Sequence, residues 1–196
     1  MLVMLIAIRI INPNGPGTNL EPSFAEPSMP LHPLKSWTND LFLTNDLAPR
    51  GWKIGGTNST GKLGTIAHYL WFEMPTARNL SWVSFSEQLA IYPTVNDAIK
   101  GYEQWMQATI PPTYQNDWKQ EPELEYESSA DDLIIRCLPG YIDQLSNLAC
   151  VEVARYQNVI VLVRGNVFDN QWLTISNFHD VLTAIDQRII AVLSAP

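Results

Sequence analysis

Cys137 and Cys150 bracket the stretch CLPGYIDQLSNLAC, and they constrain the fold more than any other feature of the chain. Each stands at the inner end of a segment rich in β-branched and apolar residues, 133–138 on one side and 148–156 on the other. Pro139 and Gly140 lie between them as turn formers. Two strands joined in this way pair antiparallel and bring the sulfurs together. The cysteines could stand as two buried thiols, but their placement points to a disulfide. Closing a loop of that size stabilises a fold by roughly 3 kcal/mol in the chain-entropy account. Such a bond implies an oxidising, extracytoplasmic compartment. Two cysteines at this spacing do not make a zinc site.

Period-two alternation marks further strands at 66–74 and 82–92. In the second of these, Glu87 falls on the apolar side with Phe85 and Leu89, which suggests a bulge. Residues 124–127 and 159–164 also read as strands, and Gln157-Asn158 as a tight hairpin turn. Two helices complete the pattern. Thr94 with Asp97 three residues on caps the first, whose stripe runs Val95, Ala98, Ile99, Tyr102, Trp105, Met106. Thr174 caps the second, with Ile175, Phe178, Leu182, Ile185, Ile189 and Val192 recurring at helical spacing. Strands joined by short turns, then a helix, then strands and a helix, predict an α+β fold. The expected form is a mainly antiparallel sheet with helices packed on one face, a two-layer sandwich.

A chain of 196 residues suits one such domain plus an appendage. The reading divides it into residues 1–35, an apolar N-terminal segment with a Pro-rich extended arm, and 36–196, a single domain. The head MLVMLIAIRII is interrupted by Arg9 and shorter than the ~20 residues that span a bilayer. It could be the tail of a longer hydrophobic segment, an edge strand, or a plug that docks on another protein. Pro13, Pro16, Pro22, Pro27, Pro30 and Pro33 then enforce an extended spacer. The layout implies a protein partner reached through the arm, with peripheral or tethered membrane association.

Residues 56–63, GTNSTGKL, come close to the phosphate-binding signature G-x-x-x-x-G-K-[ST]. Leu63 stands where the metal-binding hydroxyl belongs, and the following residues alternate like a strand instead of opening a helix. A Gly/Ser/Thr hairpin loop is the better reading. His32, His68 and His179 are too far apart to share a metal, and no serine-nucleophile elbow occurs. His68 and Glu73 fall on opposite faces of one strand. No catalytic, cofactor-binding or metal-ligating set is therefore legible. A net charge of −8 with no basic run repels a phosphate backbone and excludes nucleic acid as partner.

Two features bear on surfaces. Glu121, Glu123, Glu125 and Glu127 recur at period two, so an extended edge strand would aim all four carboxylates one way. They would guard that edge or form an acidic contact surface. Of seven tryptophans, Trp71, Trp82 and Trp105 fall on patterned elements and read as core, whereas Trp118 and Trp172 lie in polar loops and are candidate aromatic contacts.

The segments DDLIIRC, CVEVARYQNVIVLVRGN and IDQRIIAVL lie within the last third of the chain. They resemble exported bacterial sensor-like lipoprotein domains, including the extracellular domains of bacterial serine/threonine kinases. The resemblance implies an α+β domain outside the membrane. The expected function is a non-catalytic, exported binding or scaffold domain at the cell surface, with a place for it as an accessory subunit of a larger assembly. The alternative is a hydrolase or binding module acting on carbohydrate or another surface polymer.

Overall fold

The computed structural model describes residues 31–35, 38–62, 65–74, 83–142, 145–168 and 172–195, and for 59–62 and 65–67 the backbone alone. Three strands come first: β1 (Lys53–Lys62), β2 (Thr65–Glu73) and β3 (Ser84–Ile91), followed by helix α1 (Val95–Thr109). Three more follow: β4 (Asp132–Ile142), β5 (Leu145–Tyr156) and β6 (Val159–Val167), then helix α2 (Ile175–Leu193). They form one six-stranded sheet in the order β1-β2-β3-β6-β5-β4, antiparallel throughout. The α+β class with an antiparallel sheet is thus the observed one. No helix among the described residues is long and apolar enough to cross a membrane.

The helices differ from expectation in their placement. Side chains on β6 alternate, so Val161 and Val163 face one way and Ile160 and Leu162 the other. α2 covers the first set, in a core with Tyr156, Phe85 and Leu89. α1 covers the second, in a smaller core with Ala98 and Val153. The two helices therefore lie on opposite faces of the sheet, not on one. The cause is visible in the central strands: residues 150–156 and 159–163 are almost all buried on both faces, so both need cover.

Both N-caps form as read. Thr94 Oγ1 accepts the Asp97 amide at 3.1 Å, and Thr174 Oγ1 accepts that of Asn177 at 3.2 Å. The α2 stripe is buried at Phe178, Leu182, Ile185 and Ile189, each side chain contributing about 1.5–3 kcal/mol. α1 sits less deeply, with Ile99 exposed and Ala98 and Gly101 buried. Gln157 adopts a φ of 54°, the left-handed conformation that a two-residue hairpin turn demands. Arg155 clamps this turn, with Nε 2.6 Å from Asp132, and Nη1 3.0 Å from both Asp131 and the Gln157 carbonyl.

GTNSTGK is not the loop expected there: it runs inside β1, a ten-residue strand paired with β2 through Lys62↔Thr65, so only the hairpin itself matches the expectation. Pro139 and Gly140 are not the turn; they continue β4, where an outer strand tolerates proline. Glu87 makes no bulge, since β3 keeps a regular register with both neighbours. The strand expected at 124–127 is absent. Pro122–Leu124 is instead a short 3₁₀ turn that buries Leu124 beside α2, and the chain runs on unpaired. Residues 31–34, assigned by the sequence to the arm, already belong to the packed body. His32 donates its amide to the Leu193 carbonyl, and Asn158 brackets Leu34 by bonding both its N–H and C=O. Residues 1–30 lie outside the described ones.

Candidate functional site

Cys137 and Cys150 are direct cross-strand partners in β4 and β5 and are joined by a disulfide, both nearly inaccessible. Cys137 turns its backbone N–H and C=O away from β5. There they exchange two 2.8 Å hydrogen bonds with Lys119, an isolated bridge outside the strands. The disulfide pair is therefore a close, non-hydrogen-bonded pair, with Cα atoms 4.1 Å apart. The disulfide fixes Cys137, Cys137 holds Lys119, and Lys119 sets the position of Trp118 next to it. This chain of contacts runs from a sequence motif to a surface side chain.

Trp118 is partly exposed and lines a furrow of about 310 Å³ on the α1 face of the sheet, at the C-terminal end of α1. The floor includes Ser84 and Ser86 of β3, Arg164 and Asn166 of β6, and Val151 of β5. Thr109, the last residue of α1, closes one side and accepts a hydrogen bond from Arg164 Nη2 at 3.3 Å. Arg164 is otherwise exposed. None of the described residues that line it is an Asp or Glu, although the chain carries a net charge of −8. Asp117 and Lys119 flank Trp118 in sequence with opposite charges. The furrow can hold an extended, polar ligand: hydroxyls and an amide for hydrogen bonds, one cation, and an indole for an apolar face.

Two other hollows are larger. One of about 600 Å³ lies beneath residues 39–44 against β1 and β2; Phe42, Leu43 and Leu70 form much of its wall, and no charged group lines it. His68 lines it too, its pKa lowered by burial, with its ring edge-on to Phe42. Another of about 570 Å³ follows the β4 edge past Glu121, Glu125 and Arg136. Neither is framed by the disulfide, and neither contains Trp118.

The remaining sequence candidates scatter. Glu123, Glu125 and Glu127 are exposed and Glu121 partly so, but the 3₁₀ turn breaks their period-two line, so they form no common edge. Trp172, with a φ of 56°, is partly buried, packs edge-on against Phe168 at 5.1 Å and joins the main core. It is a packing residue more than a contact. Trp82 falls outside the described residues.

Sequence reasoning missed a buried acidic row on the opposite face. Glu87 and Glu152 flank Val163 in one line across β3, β6 and β5, under α2, and both are fully enclosed. Glu87 Oε2 accepts the Leu43 amide at 2.9 Å, and Glu152 Oε2 accepts the Tyr126 hydroxyl at 2.9 Å. Their second oxygens have no hydrogen-bond partner. Burial pushes each carboxyl up to about 8, so each is protonated at neutral pH. Asp186 on α2 lies close by and accepts from Tyr156 at 2.7 Å and from Ser128. The signal was present in the sequence, in a Glu on the apolar side of a strand. Neither Glu87 nor Glu152 lines the furrow, so they shape the core beneath α2 and do not touch a ligand there.

Comparison with protein-family models, with curated proteins and with solved structures finds no match.

Proposed function

We propose that this chain is an extracytoplasmic binding domain that engages a cell-surface polymer through the furrow on its α1 face. The observation that carries the reading is the furrow itself. Its described lining holds no acidic residue in an acidic protein, and Trp118 walls it. A disulfide that belongs to an oxidising compartment holds that wall in place. A rigid frame with few moving parts suits recognition, because little ordering entropy is lost on binding. The role is that of a binding or scaffold domain at the cell surface.

Co-sedimentation tests it. Oxidised protein is mixed with the insoluble cell-wall fraction of the host and pelleted beside Trp118→Ala, with melting curves for both. Wild type is expected in the pellet and Trp118→Ala in the supernatant at an unchanged melting temperature. Equal pelleting of the two, or none of either, overturns the reading.

A further inference from the structure

The furrow is one stretch of a longer line. Following the register across the sheet on the α1 face gives Gly56, Trp71, Ser86, Arg164, Val151 and Arg136, one residue from each strand in spatial order. From Trp71 on β2 to Arg136 on β4 is four strand spacings, roughly 19 Å. α1 packs on β5 and β6, so among the described residues the β2 end of this line lies outside the helix.

At that end the backbone is built around one indole. A register shift between Ile54 and Gly56 brings both Gly55 and Gly56 against Trp71. A Cβ on Gly55 would stand 2.5 Å from its Nε1, and one on Gly56 2.3 Å from its Cη2 and Cζ2. Both ends of the ring system therefore rest where side chains would otherwise be, and the indole lies down along β1. Two glycines in a strand interior weaken it, which calls for a reason such as this close approach. Tyr69, more than a third exposed, sits beside Trp71 with ring centroids 5.8 Å apart and planes 36° apart. The pair makes a shallow aromatic platform. Partly exposed Ser86 and Gln88 stand opposite Trp71 and Tyr69 on β3.

We infer that this line binds an acidic polysaccharide, with sugar rings stacked on Trp71 and Tyr69 and a carboxylate held by Arg164. The inference rests on the binding reading above and names its ligand. Sugar C–H bonds carry partial positive charge and fit the electron-rich face of an aromatic ring laid flat. Hydroxyls and amides beside the ring suit sugar hydroxyls. Charge complementarity selects the acidic kind. Arg164 and Arg136 lie on the line and no acid does, while the rim charges Glu73 and Lys53 oppose each other across β1 and β2. Arg164 also presents the planar fork that matches a carboxylate.

Native gels cast with a polymer read the binding as retardation, and one backbone serves for both arms: carboxymethylcellulose and hydroxyethylcellulose. Wild type should be slowed at least tenfold more strongly, as an apparent affinity, by the carboxylated polymer. Arg164→Gln should reduce that preference to near unity, and Trp71→Ala should lose binding to both. Tyr69→Ala, at a more exposed position, should weaken it several-fold and serves if Trp71→Ala fails to fold. Equal retardation by the two polymers, or full binding by Tyr69→Ala and Trp71→Ala, overturns the inference. So does competition by polyphosphate, an anion without rings, at equal charge concentration. If neither cellulose polymer binds while cell-wall sedimentation still depends on Trp118, the ligand class is wrong and the binding reading stands. If sedimentation fails as well, both fall.

Discussion

Replacing Glu152 by Gln should make this protein more stable at neutral pH, and the gain should vanish in acid. Glu152 is fully enclosed on β5. Its carboxyl is pushed up to about 8 by burial, with Tyr126 pulling it down and Asp186 and Glu87 adding to the rise. In the unfolded chain it titrates near 4.5. Below that pH both states are protonated, and the neutral carboxyl contributes its full stability. Between 4.5 and about 8 the unfolded chain releases a proton that the folded one retains. Stability then falls by about 1.4 kcal/mol per pH unit, and it levels off above the folded value. Glu87, shifted in the same direction by its own burial and eased by the Leu43 amide and Arg188, adds a parallel slope. Gln keeps the size and an oxygen to accept from Tyr126 but never ionises. At pH 7 Glu152→Gln should therefore gain about 3 kcal/mol over wild type, and near pH 4.5 almost nothing. His68, whose pKa burial lowers, tilts both proteins alike, so their difference isolates Glu152. Urea unfolding of both at half-unit steps from pH 4.5 to 7.5 measures it. A pH-independent difference, or a less stable variant at pH 7, would refute the buried-acid argument.

Other consequences follow from the same contacts. Changing Cys137 and Cys150 together to Ala should lower stability by about 2–4 kcal/mol and weaken wall binding, since Lys119 and Trp118 lose their fixed partner; urea melts and sedimentation read the two effects. Gly56→Ala should cost about 1–3 kcal/mol and lift the Trp71 indole from β1, seen as a changed tryptophan emission in a protein that still melts cooperatively. Asn158→Ala removes a buried amide that bonds Leu34 and the Tyr92 carbonyl. It should cost about 1–3 kcal/mol and raise protease cleavage near residues 31–35, whereas unchanged cleavage would deny that this segment is docked.

Much of the architecture was legible because its periodicities are strong. The α2 stripe, the Thr94 and Thr174 caps, the Gln157-Asn158 hairpin and the cysteine pairing each follow from local chemistry, and each is where the sequence put it. Placement of α1 was not, because one helix stripe does not say which face of a sheet it seeks. The nearly unbroken apolar runs of β5 and β6 held that information, as strands covered on both sides. The acidic line at 121–127 misled for a local reason. Pro122 starts a 3₁₀ turn, and the pull of buried Leu124 toward α2 outweighs an alternation of charges that gains nothing from pairing. Of the site, Trp118 was found by its polar surroundings. Trp71 read as core, because alternation shows that a side chain shares a face and not whether a helix covers that face. Arg164 and Arg136 came onto one line with it only through the register of five strands.

The face on which the ligand sits is read directly by indole N–H resonances. In ¹⁵N-labelled, oxidised protein, solubilised cell-wall polymer is titrated while the signals of Trp71, Trp118, Trp52 and Trp172 are followed. Shifts are expected at Trp71 and Trp118, accompanied by the Arg164 side chain. Trp52, buried beneath the opposite face, and Trp172, packed on Phe168, should stay in place. Shifts confined to Trp172 or to residues 121–127, with Trp71 and Trp118 unmoved at saturation, would contradict this placement of the ligand.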